Sequence, residues 1–311
     1  DHAWNWNSMD IGPHRDLVGE LSEAVRKRRL HMGLYYSLYE WFNPVYMKDP
    51  ARYVDRHMLP QLKDLINHYR PSLLFTDGEW DQPSEVWRSR EFLAWLFNES
   101  PVREEIVVND RWGKDTRSKH GGYYTTEYGE VGFGEELTAR HKWEECRAMG
   151  ASFGYNRNED LDDYLSEKEL IHLLVDTVSK GGNLNLDIGP AADGRIPVIM
   201  QERLIQIGEW LKVNGEAIHG TQPWRVNREE NGVRYTAKGD TLYAIFFQWP
   251  GKELILKTPK AQQAPTAVLL GHPTPLSCWK HKSDVAIAMP PLQVDQMPCR
   301  HAYVVKLTGV Q

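Results

Sequence analysis

Between residues 14 and 213 the chain alternates helical and strand patterns, and past Trp224 it changes to period two; few folds satisfy both. Residues 14 to 29 place Leu17, Val18, Leu21, Ala24 and Val25 on one helical face, and Leu30 to Ser37 reads as a short buried strand. Tyr53 to His68 is a second helix, with Leu59, Leu62, Leu65 and Ile66 as its apolar stripe and Pro71 as its stop. Ser72 to Thr76 is a strand, Val86 to Phe97 a helix, and Glu105 to Val108 a third strand. A long glycine-bearing loop, Gly113 to His141, precedes strand Lys142 to Ala148; its length favours function over mere connection. Ser166 and Glu169 form a capping box for the helix Lys168 to Lys180, ended by Gly181-Gly182. A fifth strand, Asn183 to Ile188, and a helix, Val198 to Val213, complete the series.

Such alternation means a parallel sheet, and short strands followed by richly furnished loops favour a (β/α)8 barrel over a doubly wound sheet. Eight strands are needed; five are found, and the first helix has no strand before it. The expected fold is therefore α/β, a (β/α)8-type barrel missing its first strands, about three of them, over residues 1–218. The opening Asp1-His2-Ala3-Trp4-Asn5-Trp6 reads as mid-protein loop. An open barrel leaves strand edges unpaired, so weak or no activity is expected of such a fragment. Gly232 to Ala237 and Thr241 to Gln248, joined at Lys238-Gly239-Asp240, form a hairpin, and apolar runs at Ala267 to Leu270, Val285 to Ala288 and Tyr303 to Leu307 follow. Residues 219–311 thus read as a C-terminal antiparallel β-sandwich.

Charge and composition narrow the partners. A net charge of −6 and a pI near 6.1 supply no positive field for phosphate backbones or anionic membranes, so nucleic acid and membrane are not expected partners. The one dense basic run, Arg26 to Arg29, closes a helical pattern where cations suit the helix dipole. Cys146, Cys278 and Cys299 form no CxxC pair and suggest neither a disulfide framework nor a zinc site. No apolar run approaches the roughly 20 residues of a membrane span, and residues 1 to 20 lack signal-peptide blocks. The sequon Asn98-Glu99-Ser100 precedes Pro101 and carries little weight for secretion. What stands out is 12 Trp and 14 Tyr beside 8 Phe: flat rings with a polar handle suit sugar faces, although most such residues pack cores.

In this architecture reacting groups stand at the C-terminal ends of strands. Asp77 stands at such an end, after Leu73-Leu74-Phe75-Thr76 and before Gly78-Glu79-Trp80. Its competing role, capping the next helix, is a poor explanation because that helix begins several residues later. A retaining glycosidase needs a second carboxylate roughly 5 Å away. Glu127, in the long loop with tyrosines on both sides, and Glu144, in the strand Lys142-Trp143-Glu144, are the candidates. A solvated loop glutamate and a strand-end ion pair are their ordinary readings.

These residues resemble glycoside hydrolase family 29, the α-L-fucosidases. Leu34-Tyr35-Tyr36-Ser37, Phe75-Thr76-Asp77-Gly78, Val108-Asn109-Asp110-Arg111-Trp112-Gly113, Thr126-Glu127-Tyr128, Ser152-Phe153-Gly154-Tyr155 and Ser179-Lys180-Gly181-Gly182-Asn183-Leu184 occur in family order, from residue 4 to the end. The resemblance implies Asp77 as nucleophile and Glu127 as acid/base, with Glu144 the alternative used by other members. It also implies fucose contacts from Tyr35, Arg111 and Phe153, while Trp80, in the turn after Asp77, is read from the residues themselves as an aromatic wall beside the site. Fucosylated glycans are the implied partners, a homo-oligomer is left open, and no cofactor or metal is implied. Relatives are lysosomal, secreted or periplasmic. The early strands that supply a His pair and a Trp/Glu loop to the family's sugar pocket lie before residue 1.

Two other functions compete. A non-catalytic carbohydrate-binding protein would use the aromatics and the sandwich alone, and the presence of both carboxylates argues against it. Metal-assisted hydrolysis is weaker, since the 12 His show no H-x-H or H-E-x-x-H spacing.

Overall fold

A computed structural model describes residues 6–129 and 141–311, with backbone only at 262–264. Asp1 to Asn5 and residues 130–140 of the long loop lie outside the described residues. The chain divides into two compact units, Asp1–Thr125 and Thr126–Gln311.

In the first unit three parallel strands, β1 (Gly33–Ser37), β2 (Leu73–Asp77) and β3 (Val107–Val108), pair in that order. Ser37 registers with Asp77, so β1 and β2 finish level and their following loops emerge side by side. The strands follow α1 (Leu17–Lys27), α4 (Leu59–Tyr69) and α5 (Ser89–Asn98), with short helices α2 (Pro44–Lys48) and α3 (Pro50–Tyr53) between. Leu59, Leu62 and Ile66 of α4 are buried as the stripe predicts, and packing Leu62 or Ile66 against Leu74 and Trp87 is worth about 2 kcal/mol each. A π turn, Val54–Met58, joins α3 to α4. Pro60 has no N–H and its ring would crowd the carbonyl one turn back, and the wider turn just before it relieves both problems.

One helix face lies open here, and one helix boundary moves. The apolar face of α1 is not core: Leu17, Val18 and Leu21 are exposed and Ser22 is its buried residue. Periodicity reports which face is apolar, not whether anything covers it. The helix predicted from Val86 starts at Ser89, because the chain from Pro83 to Arg88 forms turns and Arg88 adopts a left-handed conformation.

A further strand that the sequence reading left in a loop, β4 (Tyr124–Glu127), runs across the boundary into the second unit, so among the described residues six strands rather than five precede residue 218. Beyond it come β5 (Trp143–Ala148), α6 (Glu167–Ser179), β6 (Gly182–Asp187) and α7 (Val198–Asn214). β5 and β6 are parallel, and the predicted Ser166/Glu169 capping box opens α6. A side chain at Gly182 would begin 2.5 Å from the Trp143 ring, so glycine is what lets the indole lie across its partner strand.

From Gln222 onward the strands are antiparallel. β7 (Gln222–Arg228), β8 (Arg234–Lys238), β9 (Thr241–Phe246), β11 (Ala261–Leu269) and β14 (Tyr303–Val310) form one sheet in the order β11-β14-β9-β8-β7. β10 (Glu253–Leu256), β12 (Cys278–His281) and β13 (Asp284–Ala288) form a second, β10-β13-β12. Tyr235, Ala244 and Leu307 of the first sheet share a core with Leu256, Val285 and Ile287 of the second, which makes the expected sandwich. Tyr243, Ile245 and Val304 of the larger sheet instead pack with Ile171 and Val175 of α6 and Trp210 of α7. Both faces of that sheet are therefore buried, which joins these helices to the sandwich in one unit.

Candidate active site

Asp77 is the last residue of β2, where four apolar or β-branched residues have buried the strand and Gly78 turns the chain in a left-handed conformation that glycine adopts freely. Its carboxylate is held on both oxygens. The hydroxyl of Tyr35, on β1, donates to Oδ2 at 2.7 Å, and Nη1 of Arg111 donates to Oδ1 at 2.7 Å. Tyr35 stacks on Phe75, and the Arg111 guanidinium lies 4.9 Å over the same Phe75 ring. Each donor is thus fixed by a ring as well as by its hydrogen bond, and the carboxylate cannot rotate without breaking one of two charge-assisted or phenolic bonds.

The motif Asn109-Asp110-Arg111-Trp112 builds this arrangement. Asn109, wholly buried, donates from Nδ2 to Thr76 O at 2.8 Å and accepts on Oδ1 from Thr76 N at 3.3 Å and Thr76 Oγ1 at 2.9 Å, replacing a strand partner where β3 has ended. Arg111 Nε donates to Thr125 Oγ1 at 2.9 Å, and Thr125 in turn donates to Asp110 Oδ1 at 2.8 Å. The Asp110 carboxyl is pushed up by burial, against hydrogen bonds from the Ser118 N–H and Thr125. Trp112 donates its indole N–H to Asn109 O at 2.9 Å and packs in the core. Arg111 therefore sits in the structure as a brace between Asp77 and Thr125.

Trp80, half exposed, follows in a short turn and meets Tyr39 edge-on. Beside it is Glu79, which sequence reasoning passed over. Its side chain is buried, with Arg117 Nη1 3.8 Å from Oε1, and burial pushes its carboxyl above the usual range while Arg111 and Arg117 oppose. The signal was present in the spacing, two residues past Asp77, but nothing local says that this glutamate turns inward.

In the second unit Glu127 closes β4 rather than standing in a loop, and Tyr128 after it takes a left-handed conformation. Tyr128 meets the half-exposed Phe153 edge-on at 5.3 Å, and the Arg147 guanidinium lies over the Tyr128 ring, 4.9 Å from its centroid. Gly154, beside Phe153, donates its N–H to Asp187 Oδ2 at 3.2 Å, which ties the Phe153 loop to the end of β6. It is Tyr128, the residue after Glu127, that meets Phe153. Glu144, buried on β5, accepts from Asn185 Nδ2 at 3.2 Å. Glu145, its neighbour, also went unnoticed in the sequence: its carboxyl is pushed up by burial, Glu127 adds to the rise, and Oε1 accepts from the Gly129 N–H at 3.0 Å.

A carboxylate locked at a strand end is chemistry that comparison can name. The family model described as Alpha-L-fucosidase matches residues 1–216, and its C-terminal domain model matches residues 227–308.

The chain belongs to the α-L-fucosidase family.

Among its relatives, the tissue alpha-L-fucosidase of Homo sapiens is 46% identical over 321 residues, covering 99% of this chain and 68% of that protein. The plasma alpha-L-fucosidase of Rattus norvegicus is 47% identical, covering 99% and 70%. Among solved structures, Thermotoga maritima alpha-fucosidase in complex with a mechanism-based inhibitor aligns with a TM-score of 0.80 at 33% identity, over 98% of this chain and 70% of that one. The same enzyme in complex with fucose gives 0.79 at 32%, with the same coverage. No helix among the described residues of this α-L-fucosidase family member is long and apolar enough to cross a membrane.

Proposed function

We propose that the protein is a retaining exo-α-L-fucosidase that removes terminal α-L-fucose from glycans by double displacement. The observation that carries this is the Asp77 carboxylate, held at the end of β2 by Tyr35 and Arg111. Asp77 attacks the anomeric carbon of fucose as Glu127 protonates the departing glycosidic oxygen, giving a fucosyl-enzyme ester. Glu127, now ionised, takes a proton from water, whose oxygen attacks the same carbon and frees Asp77, so two inversions return L-fucose with its configuration retained. Glu144 is the alternative acid/base. Phe153 offers an apolar face to the C5 methyl, Trp80 a wall to the site, and Tyr35 and Arg111 contact fucose hydroxyls as well as fixing Asp77.

In this reading residues 1–218 are a (β/α)8-type barrel domain and 219–311 its sandwich domain. The parallel order β1-β2-β3, the parallel pair β5-β6 and the solved relatives support it. Fucosylated glycoconjugates met in secretion, the periplasm or the lysosome are the substrates, and the chemistry requires no cofactor.

The test is hydrolysis of an aryl α-L-fucoside followed by proton NMR from the first minutes. The α anomer of fucose should appear first, and Asp77→Gly should abolish the reaction. A β anomer appearing first would overturn the double displacement, and saturable fucose binding without turnover would favour a lectin-like role.

A further inference from the structure

Resting on the fucosidase reading, we propose that Trp41 and Trp80 form an aromatic corner that receives the neutral sugar ring linked to the departing fucose. The corner is built around Tyr39. The Tyr39 ring stacks on Trp41 at 6.2 Å with planes 7° apart, and meets Trp80 edge-on at 6.3 Å and 90°. Behind, the same ring stacks on Tyr46 at 5.0 Å and Trp87 at 6.3 Å, both buried in the core.

The inner and outer rings differ in exposure. Trp87 is 0% exposed and Tyr46 6%, whereas Trp41 is 66% and Trp80 51% exposed. Core packing accounts for the inner rings but not for two indoles held rigidly at right angles and open to solvent. Neither outer indole N–H donates to a protein group among the described residues, so both remain for a ligand's hydroxyls. A flat ring with a polar edge matches a pyranose, which has a C–H face and an equatorial belt of hydroxyls. Among the described residues no cation lies over either the Trp41 or the Trp80 ring, and the one guanidinium beside the Trp80 turn, that of Arg117, faces Glu79, which suits a neutral sugar.

Its position is fixed relative to the reacting carbon. Tyr39 comes from the loop after β1 and Trp80 from the turn after β2, the two strand ends that Ser37 and Asp77 bring level. A side chain at Gly78 would begin 2.9 Å from Tyr39 Cε1, so the ring at the heart of the corner lies directly against the residue after the nucleophile. Ser37 Oγ donates to Tyr39 O at 2.8 Å and holds that loop to the strand. A ring beside the fucose, on the side of β1, reaches Trp41.

The test separates the aglycone from the fucose. Wild type, Trp41→Ala and Trp41→Phe are assayed on α-L-fucosyl fluoride, whose leaving group has no ring, and on a fucosyl-galactose disaccharide. For Trp41→Ala, kcat/KM on the disaccharide should fall on the order of tenfold through KM, with less than a twofold change on the fluoride. Trp41→Phe, which keeps a stacking face, should recover most of the loss. Equal losses on both substrates, or no loss on either, would overturn the subsite. Wild-type protein that turned over the fluoride while showing no preference among aglycones would also overturn it. Inactivity of the wild type on both substrates would sink the fucosidase reading itself, and the subsite with it.

Discussion

Arg111 donates to Asp77 across the 2.7 Å gap between the β2 end and the turn after β3, and its other edge is anchored on Thr125 at 2.9 Å. One guanidinium, almost wholly buried, therefore sets both the orientation of the proposed nucleophile and its distance from β4. A planar fork can bond in two directions at once, and a lysine ammonium cannot hold the same two partners in one plane.

Arg111→Lys should accordingly lower kcat/KM roughly 10²-fold, the scale on which small misplacements of a reacting group are felt. Thr125→Val, which leaves the bond to Asp77 in place but removes the bond that Nε donates to Thr125, should lose much less. Steady-state kinetics on an aryl fucoside read both, and a Thr125→Val enzyme as active as wild type would show that Arg111 does not act as a two-ended brace.

Asp77→Gly should reduce turnover by on the order of 10⁴, as expected when a covalent step is removed. Azide, small enough to enter the vacated space, should restore part of it and yield β-L-fucosyl azide, the product of a single inversion. Recovery of the α-azide, or no effect of the substitution, would place the nucleophile elsewhere.

Asn109→Ala should destabilise the first unit rather than act on the chemistry directly. It strips three hydrogen bonds from the wholly buried Thr76, leaving its N–H and carbonyl without side-chain partners, at a cost of about 3 kcal/mol. Urea unfolding should show a lower midpoint, and the folded fraction should retain activity within a few fold. An unchanged midpoint would mean that water replaces the amide.

The strand that bears Asp77 was readable in the sequence because it is an unbroken apolar run flanked by Pro71 and Gly78, and because α5 starts too late for Asp77 to cap it. The α4 stripe and the switch to period two at the sandwich were readable for the same reason: a long pattern averages out local noise. β4 was not, since four residues of mixed polarity between glycine turns carry too little period to separate strand from loop. The inward turn of Glu79 was equally hidden, because Trp87 and Arg117, which enclose it, are distant in sequence or on another loop. The exposed face of α1 is the reverse case, an apolar period that tertiary packing leaves uncovered.

Glu127 and Glu144 separate by leaving group. Glu127→Gly should cut kcat/KM about 10³-fold on a substrate with a basic sugar leaving group, and far less on fucosyl fluoride, which needs no proton. Glu144→Gln should cost under about tenfold on both, since an amide keeps an oxygen that can accept the 3.2 Å bond from Asn185 on β6. The opposite ranking would transfer the acid/base role to Glu144.

Glu79 gives a pH-dependent stability that can be signed in advance. Burial raises its carboxyl above the ordinary value, Asp77 adds to the rise, and Arg111 and Arg117 oppose it without reversing it. The folded state therefore binds the proton more tightly than the unfolded chain does. That contribution is fully present below the unfolded carboxylate pKa, about 4.3, and is lost as pH rises through the folded value. Glu79→Gln keeps the shape, removes the titration and should leave the protein more thermostable than wild type at pH 7. The difference should shrink as pH falls toward 4, where wild-type Glu79 is itself protonated. Melting curves of both proteins from pH 4 to 8 make the comparison. If the variant is less stable at pH 7, the ionised form is the one the fold holds, and the 3.8 Å contact with Arg117 outweighs the burial of the charge.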